Sequence, residues 1–322
     1  MKKRIIFGIL ISIFFLFLVL RNINFKDMMQ IVANGEYLWM LPCLGTYTLS
    51  FIFRSIRWKY LLSPIRNFKA KQLFSSLIMG FAANCIFPFR FGEFVRAFIV
   101  GKKHNLSKSA SLATIVLERI MDGVGILILL GVALLFLKKI PSWTKKTVII
   151  AILLFIGSLV FAGVLIAKKH FIDWLKKIPL LKHELKEKII DKIKKFLIGF
   201  EVIMNVKGFI MVIFFSLCVW ICETFNLFFL IKITGIHLSY FTIIFVLFAT
   251  VLGVTIPAAP GSIGTYEFFF VASLMFFGVA KEKAVASALI THSFGIIFVM
   301  VLGMFYFFKE GISYKEIAAA KK

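Results

Sequence analysis

Charged side chains stand inside stretches of this chain that are otherwise apolar. Each of them could pair with, or bind, a group of opposite charge: Arg90, Glu93, Arg96, Glu118, Arg119, Asp122, Glu223 and Glu267. A charge at the centre of a bilayer costs at least ~2.5–3.5 kcal/mol, so such residues usually face a bundle interior or an aqueous cavity. The set indicates a polar site within a membrane. The alternatives are ion pairs with a structural role alone, or side chains that reach the interface.

Helical spacing predicts several pairs among these groups. The pairs at i,i+3 or i,i+4 are Arg90 with Glu93, Arg119 with Asp122, and Glu118 with Asp122. Since Glu118 and Asp122 are both acidic, the edge that they form needs a cation from another segment. Arg96 and Arg90 are the candidates.

Two breaks in the apolar pattern lie beside these charges. Both keep a Pro-x-x-x-Gly spacing, and the interrupting residues are Pro88, Gly92, Pro257, Pro260, Gly261 and Gly264. Such a break exposes backbone groups that hydrocarbon cannot satisfy, so it is tolerated only where it is buried or lines a cavity. A matched pair is typical of the substrate site of a repeat-built transporter. Pro and Gly are also common in membrane helices, which is the plainer explanation.

The chemistry of the two breaks favours an anion. Each break is expected to leave the N-terminal end of a short helix near mid-membrane, after Pro88 and after Gly261. Free N–H groups and the positive end of the helix dipole attract negative charge there. Arg90 and Arg96 add permanent charge in a geometry suited to phosphate. This combination fits a phosphate-bearing lipid headgroup better than a metal ion.

Composition places the whole chain in a bilayer. Of its 322 residues, 61% are hydrophobic, against roughly 45–50% in soluble domains. The formal charge of +24 could suggest a nucleic-acid partner, but the positive residues fall in short loops between apolar spans. That distribution is the positive-inside pattern of membrane proteins, and no nucleic acid is expected. The apolar spans cover about residues 5–20, 37–53, 73–100, 109–137, 148–167, 209–231, 241–280 and 284–308.

The loop charges predict a topology. If the N terminus is inside and each broken span is a hairpin, the inside loops hold 27 Lys and Arg residues and the outside loops hold nine. The bias predicts both termini in the cytoplasm. We expect a multi-pass protein of the plasma membrane. The predicted fold is an all-α polytopic membrane protein with about six full crossings and two broken or re-entrant hairpins. The hairpins enter from opposite sides, so the halves form inverted repeats suited to alternating access.

We expect one integral membrane domain over residues 1–322. Its first half covers about residues 1–137 with a broken hairpin at 73–100, and its second half covers about 209–308 with a broken hairpin at 241–280. A basic cytoplasmic loop, 168–207, separates them. Two segments of this loop mix apolar and basic residues at helical spacing, Phe171 to Lys177 and Ile189 to Leu197, a pattern typical of helices on an anionic leaflet. A loop that only sets orientation is the equal alternative.

The ordered motifs resemble those of the lysylphosphatidylglycerol synthase/flippase transmembrane family. The motifs are Asn84-x-x-x-Pro88-x-Arg90-x-Gly92-Glu93-x-x-Arg96, then Glu118-Arg119-x-x-Asp122, then Pro260-Gly261-x-x-Gly264-x-x-Glu267. The resemblance implies a fold of inverted repeats that moves a phospholipid or polyprenyl-linked lipid between leaflets, with roles in lipid metabolism and antibiotic resistance. By position it implies eight binding or translocation residues: Asn84, Arg90, Glu93, Arg96, Glu118, Arg119, Asp122 and Glu267.

The same resemblance leaves two other functions open. Full-length resistance factors of the family carry a cytosolic domain that transfers a lysyl group from tRNA to phosphatidylglycerol. The longest hydrophilic stretch here, 168–207, is shorter than the ~50 residues of a small domain, so phosphatidylglycerol lysyltransferase activity is only the enzyme alternative. The other alternative is an ion-coupled carrier of a small solute, in which the buried carboxylates would be the coupling sites.

Expected partners are membrane lipids: an anionic or aminoacylated phospholipid, or a polyprenyl phosphate. A homo-oligomer or a separate synthase partner stays open. The four Cys residues show no Cys-x-x-Cys spacing, and we expect no catalytic residue, metal or other cofactor. His292 lies in the last apolar span and could pair with Glu267 or titrate, although a lone polar residue at a helix interface is the commoner case.

Overall fold

The computed structural model describes residues 2–167 and 183–311. Within these residues all regular structure is helical, with no strand. The twelve α-helices described are α1 (Lys2–Leu20), α2 (Phe25–Ala33), α3 (Met40–Leu62), α4 (Ala70–Ile86), α5 (Gly92–His104), α6 (Lys108–Phe136), α7 (Trp143–Ala167), α8 (His183–Ile198), α9 (Val206–Lys232), α10 (Tyr240–Thr255), α11 (Thr265–Phe276) and α12 (Lys281–Lys309). The predicted all-α fold is confirmed for this part of the chain.

The order of helices recurs along the chain. Helices α3 to α6 contain 23, 17, 13 and 29 residues, and α9 to α12 contain 27, 16, 12 and 29. A short 3-10 helix precedes each set, Tyr37–Trp39 and Glu201–Met204. The packing recurs too. The contact of α4 with α12 corresponds to that of α10 with α6, and the contact of α2 with α12 corresponds to that of α8 with α6. Helices α3 and α9, which begin the two sets, pack along each other.

Both predicted breaks are present, each between a longer and a shorter helix. Helix α4 ends at Ile86, two residues before Pro88, and α5 begins at Gly92. Helix α10 ends at Thr255, two residues before Pro257, and a 3-10 turn at Pro260–Ser262 leads to α11. Proline lacks a backbone N–H and its ring disfavours helical geometry in the residue before it, which accounts for both helix ends.

Three described helices are long and apolar enough to cross a bilayer: α6, α9 and α12. The chain is a membrane protein with at least these three candidate spans. Helices α1 and α2 could add one more as a broken span, since they meet at a bend of 89°. The fuller prediction of six crossings, and the opposite orientation of the two halves, remain predictions.

Two elements differ from the sequence-based boundaries. The span expected over about 37–53 extends to Leu62, because apolar residues continue past Phe53 and the last of them are fully buried (Trp58, Leu61 and Leu62). In the basic loop, the predicted Ile189 to Leu197 segment falls within α8. The other predicted segment, Phe171 to Lys177, lies outside the described residues.

Candidate functional site

The centre of the site is an arginine that follows the apolar span predicted over residues 37–53. The extension of α3 carries Arg57 into the interior, where its side chain is fully buried. Its Nη1 lies 2.5 Å from Asp122 Oδ1 and its Nη2 lies 3.1 Å from Glu118 Oε1. Nη1 also donates to Ser216 Oγ at 3.0 Å. Arg57 therefore neutralises one of the two charges of the acidic edge on α6 and bridges both carboxylates.

A second buried arginine completes that neutralisation. Arg96 on α5 donates to both carboxylate oxygens of Glu118, from Nη1 at 3.1 Å and from Nη2 at 2.7 Å. Its guanidinium lies 3.6 Å from the ring centroid of Trp58. The expectation that Arg96 supplies a cation to the acidic edge is confirmed. The second cation from another helix is Arg57, however, and not Arg90 as the sequence predicts.

Arg119 joins the buried pairs to a more open region. Its Nη1 lies 2.9 Å from Asp122 Oδ2, which confirms the predicted pair. Its Nε lies 3.2 Å from Glu93 Oε1 on α5. The side chains of Arg119 and Glu93 are 27% and 20% exposed, against 0% for Glu118. The charged side chains are thus fully buried at Glu118 and partly exposed at Glu93 and Arg119.

Arg90 lies between the two breaks. Its Nη2 donates to the carbonyl oxygen of Val254 at 3.3 Å, near the C-terminal end of α10. No described carboxylate forms an ion pair with it, so the predicted pair with Glu93 does not form; Glu93 pairs with Arg119 instead. Arg90 and Phe89 both have positive φ, +53° and +59°, a conformation that costs roughly 1–2 kcal/mol per residue. The first break holds Arg90 against the second.

The interior charges do not balance. Arg54, also in the extension of α3, donates from Nη2 to Glu223 Oε1 at 2.9 Å, and Ser50 Oγ donates to the same oxygen at 2.7 Å. We define the charged cluster as five arginines and four carboxylates: Arg54, Arg57, Arg90, Arg96 and Arg119 with Glu93, Glu118, Asp122 and Glu223. The formal charge of this cluster is +1. Within it, Arg90 donates its described hydrogen bond to a backbone carbonyl oxygen and not to a carboxylate.

Asn84 and Gly92 shape the first break. Asn84 Oδ1 accepts a hydrogen bond from Gly92 N at 2.8 Å and so caps the start of α5. A Cβ on Gly92 would lie 2.0 Å from the carbonyl oxygen of Gly80, so α4 and α5 can cross this closely only with glycine at that position. Asn84, a predicted binding residue, has a clear structural role here.

The second break is held by Glu267 and His292. Glu267 Oε2 accepts from Gly264 N at 2.6 Å, and Glu267 Oε1 lies 2.5 Å from His292 Nδ1. The other ring nitrogen, Nε2, lies 2.9 Å from the carbonyl oxygen of Gly261. Tyr266 stacks on the imidazole with ring centroids 4.1 Å apart. Glu267 therefore lies in a separate group from the charged cluster.

Helix α1 covers the second break. Ser12 Oγ accepts a hydrogen bond from Ala259 N at 2.8 Å. Gly264 has φ of +95°, and a Cβ there would lie 2.5 Å from the carbonyl oxygen of Ser12. These contacts join residues almost 250 positions apart, and no sequence motif predicts them.

The described residues offer no cluster of three His, Cys, Asp or Glu side chains that could hold a metal ion. Cys43, Cys85, Cys218 and Cys222 are free thiols. The residues that could hold a charged ligand are instead the accessible ones of the charged cluster: Arg90, Glu93 and Arg119. Arg96 cannot contact a ligand in this arrangement because both of its terminal nitrogens bind Glu118 beneath Trp58.

Comparison with known proteins places these features in a family. Residues 5–303 match the family model described as "Lysylphosphatidylglycerol synthase TM region". A UPF0104 membrane protein of Pyrococcus horikoshii is 22% identical over 89% of this chain and 90% of its own length. A UPF0104 membrane protein of Methanothermobacter thermautotrophicus is 23% identical over 88% of each chain. Glycosyltransferase AglD of Haloferax volcanii is 25% identical over 41% of this chain, a match that spans only 22% of that protein.

Proposed function

The chain belongs to the lysylphosphatidylglycerol synthase transmembrane family, and we propose that it moves a lipid with an anionic, phosphate-bearing headgroup between the two leaflets of a membrane. The family description names a lipid synthase, and the match covers nearly the whole chain. The passenger we favour is a phospholipid of the aminoacyl-phosphatidylglycerol type, with a polyprenyl-linked lipid as the other member of the class.

The observation that carries this proposal is the position of Arg90. Its guanidinium lies where the two broken segments meet, and a backbone carbonyl accepts its hydrogen bond. A carbonyl oxygen carries a partial charge, whereas a phosphate oxygen carries a formal negative charge and so attracts the guanidinium more strongly. A phosphate can therefore replace Val254 as the partner of Arg90. In doing so it would neutralise the excess charge of the cluster.

The remaining members of the cluster divide into two roles. Arg119 and Glu93 are partly accessible beside the same break, so Arg119 can add a second contact to phosphate and Glu93 can receive the amino group of an aminoacylated headgroup. The buried pairs of Arg57 and Arg96 with Glu118 hold α3, α5 and α6 in register. We assign them a positioning role, and this moves the phosphate contact proposed for Arg96 to Arg119.

The proposed mechanism is alternating access. The recurring helix order provides two comparable halves that meet at the breaks, and rocking of one half against the other would change the leaflet to which Arg90 is exposed. Within this proposal the halves are inverted, both termini lie in the cytoplasm, and the protein resides in the plasma membrane. Basic α8 would lie on the cytoplasmic, anionic leaflet.

Leaflet exchange in liposomes tests the proposal. Purified protein is reconstituted with labelled phosphatidylglycerol, lysyl-phosphatidylglycerol or a polyprenyl phosphate, and exchange is compared with that of protein-free liposomes. We expect faster exchange of at least one of these lipids. Uptake of a small solute without exchange of any of the three would contradict the proposal and favour the ion-coupled carrier.

A further inference from the structure

Two glutamates pair with cations at equivalent places in the repeated helix order. Arg119 and His292 are each the twelfth residue of a 29-residue helix, α6 and α12. Each contacts a glutamate in the first turn of the short helix that follows a break. Arg119 lies 3.2 Å from Glu93, and His292 lies 2.5 Å from Glu267. The second pair differs from the first in that its cation is an imidazolium, which can release a proton where a guanidinium does not.

Hydrogen-bond partners define the protonation of the second pair. The carbonyl of Gly261 can only accept, so His292 Nε2, 2.9 Å away, must carry a hydrogen. The 2.5 Å contact between His292 Nδ1 and Glu267 Oε1 must contain one more proton, since two lone pairs at that distance would repel. This proton is shared between Nδ1 and Oε1, in addition to the hydrogen on Nε2. Whether it sits on nitrogen or on oxygen, the pair has no net charge.

We infer that His292 and Glu267 form a proton-binding latch on the second break. With the shared proton present, the imidazole bridges Glu267 at the start of α11 and Gly261 in the break, and thereby ties both to α12. Transfer of that proton to water breaks its bond to Nδ1 or Oε1 and leaves the imidazole with one ring hydrogen. That hydrogen can serve Gly261 from Nε2 or Glu267 from Nδ1, but not both, so one of the two ties between α12 and the break is lost.

The sign of the pH dependence follows directly. The latch is closed at low pH and opens as pH rises through the titration of the pair. The cation of its counterpart, Arg119 with Glu93, keeps its charge over this range because arginine does not deprotonate in proteins. The second break therefore responds to a proton that the cation of the first pair cannot release, whichever passenger the protein carries.

Several ionisable groups face the latch from neighbouring helices. Tyr266 on α11 stacks on the imidazole and its hydroxyl contacts Thr291 Oγ1 at 3.1 Å. Tyr47 of α3 and Cys85 of α4 are the next ionisable groups. The main chain of α4 at Cys85 approaches Gly261. On α9, Glu223 acts on Tyr266 electrostatically, and Glu223 is itself paired with Arg54 of α3. On α2, Lys26 and Asp27 are exposed.

Thiol labelling of the break tests the latch without any measurement of lipid movement. Ser262, one residue after Gly261, is replaced by Cys in a background in which the four native Cys residues are replaced. The labelling rate is measured from about pH 5 to pH 9, which covers the range where a histidine side chain ordinarily changes charge. Each rate is divided by that of the same cysteine with His292→Arg, which cancels the intrinsic pH dependence of the thiol.

We expect the ratio to rise with pH, by up to about tenfold per pH unit on the rising limb, as for loss of a single proton. Glu267→Gln is the second variant. Its amide oxygen can still accept from Gly264 N, and its NH₂ group can donate to Nδ1, so its labelling should match that of His292→Arg at every pH. A ratio that stays flat, or an equal rise with Glu267→Gln, would overturn the latch even in a protein that moves lipid.

Discussion

At the scale of single residues, Arg57 explains how the two carboxylates of α6 remain inside an apolar bundle. It is fully buried, and it contacts both Glu118 and Asp122. A buried ion pair adds little net stability, but removal of one partner leaves an uncompensated charge and costs about 3–5 kcal/mol. Arg57 is therefore needed for the fold even though it does not contact the proposed ligand.

Arg57→Ala should lower the thermal stability of the purified protein strongly, by the ~3–5 kcal/mol given above. The matched control is Lys195→Ala, which removes one partner of an exposed i,i+4 pair with Asp191 and should cost no more than ~0.5 kcal/mol. Thermal unfolding in detergent measures both. Equal loss in the two variants would show that Arg57 is not the charge that balances α6.

How far the sequence predicts these residues depends on the helix that carries them. Arg96 and Glu118 lie well inside apolar spans, so their pairing can be predicted from the cost of an unpaired charge in a membrane. Arg54 and Arg57 follow Phe53, where the hydropathy falls, and this fall predicts a loop at their positions. The missed signal is periodicity, because Ser50, Arg54 and Arg57 recur at helical spacing and Trp58, Leu61 and Leu62 resume the apolar pattern.

At the scale of elements, the positions of the two breaks can be predicted from proline chemistry. The helices that pack around the breaks cannot be predicted in this way. Pro88 and Pro257 each end a helix two residues upstream, as their missing N–H and bulky ring require. The contact of α1 with the second break depends on packing between opposite ends of the chain, through Ser12 and Gly264. No local pattern in either segment encodes that contact.

Gly264→Ala isolates this contact when it is compared with Gly278→Ala. Both glycines have positive φ, +95° and +86°, but a Cβ on Gly278 would meet no atom within 4 Å. Both variants should lose about 1–2 kcal/mol to backbone strain. Gly264→Ala should lose about 1–3 kcal/mol more through overpacking against Ser12. If thermal unfolding shows the same loss for both, α1 does not pack tightly on the break.

At the scale of the whole molecule, the recurring helix order is the feature that the sequence indicated only through its two breaks. The structure adds the paired contacts of α4 with α12 and of α10 with α6. Such packing depends on which helix faces meet, and the apolar surface of a membrane helix carries little directional signal for that. The charge bias of the loops adds the orientation that we propose, and moving Arg54 and Arg57 into the bundle still leaves 25 inside charges against nine.

Inversion of the halves predicts that equivalent positions lie on opposite sides of the membrane. Lys108 begins α6 and Ala280 directly precedes α12, and both are exposed. In a background without the four native Cys residues, Lys108→Cys should react with an impermeant maleimide only after the cells are permeabilised. Ala280→Cys should react in intact cells. Reaction of both from the same side would exclude inverted repeats.

The central claim is that Arg90 binds the phosphate of a lipid in transit, and leaflet exchange by Arg90→Ala tests it most directly. The control is Arg66→Ala, which removes an exposed arginine whose Nη1 donates to the carbonyl oxygen of His104 at 3.2 Å, in the loop before α4. Loss of a hydrogen bond to a charged group, about 1.5–3 kcal/mol, predicts exchange about 10- to 100-fold slower in Arg90→Ala and unchanged in Arg66→Ala. Wild-type exchange by folded Arg90→Ala would contradict the claim.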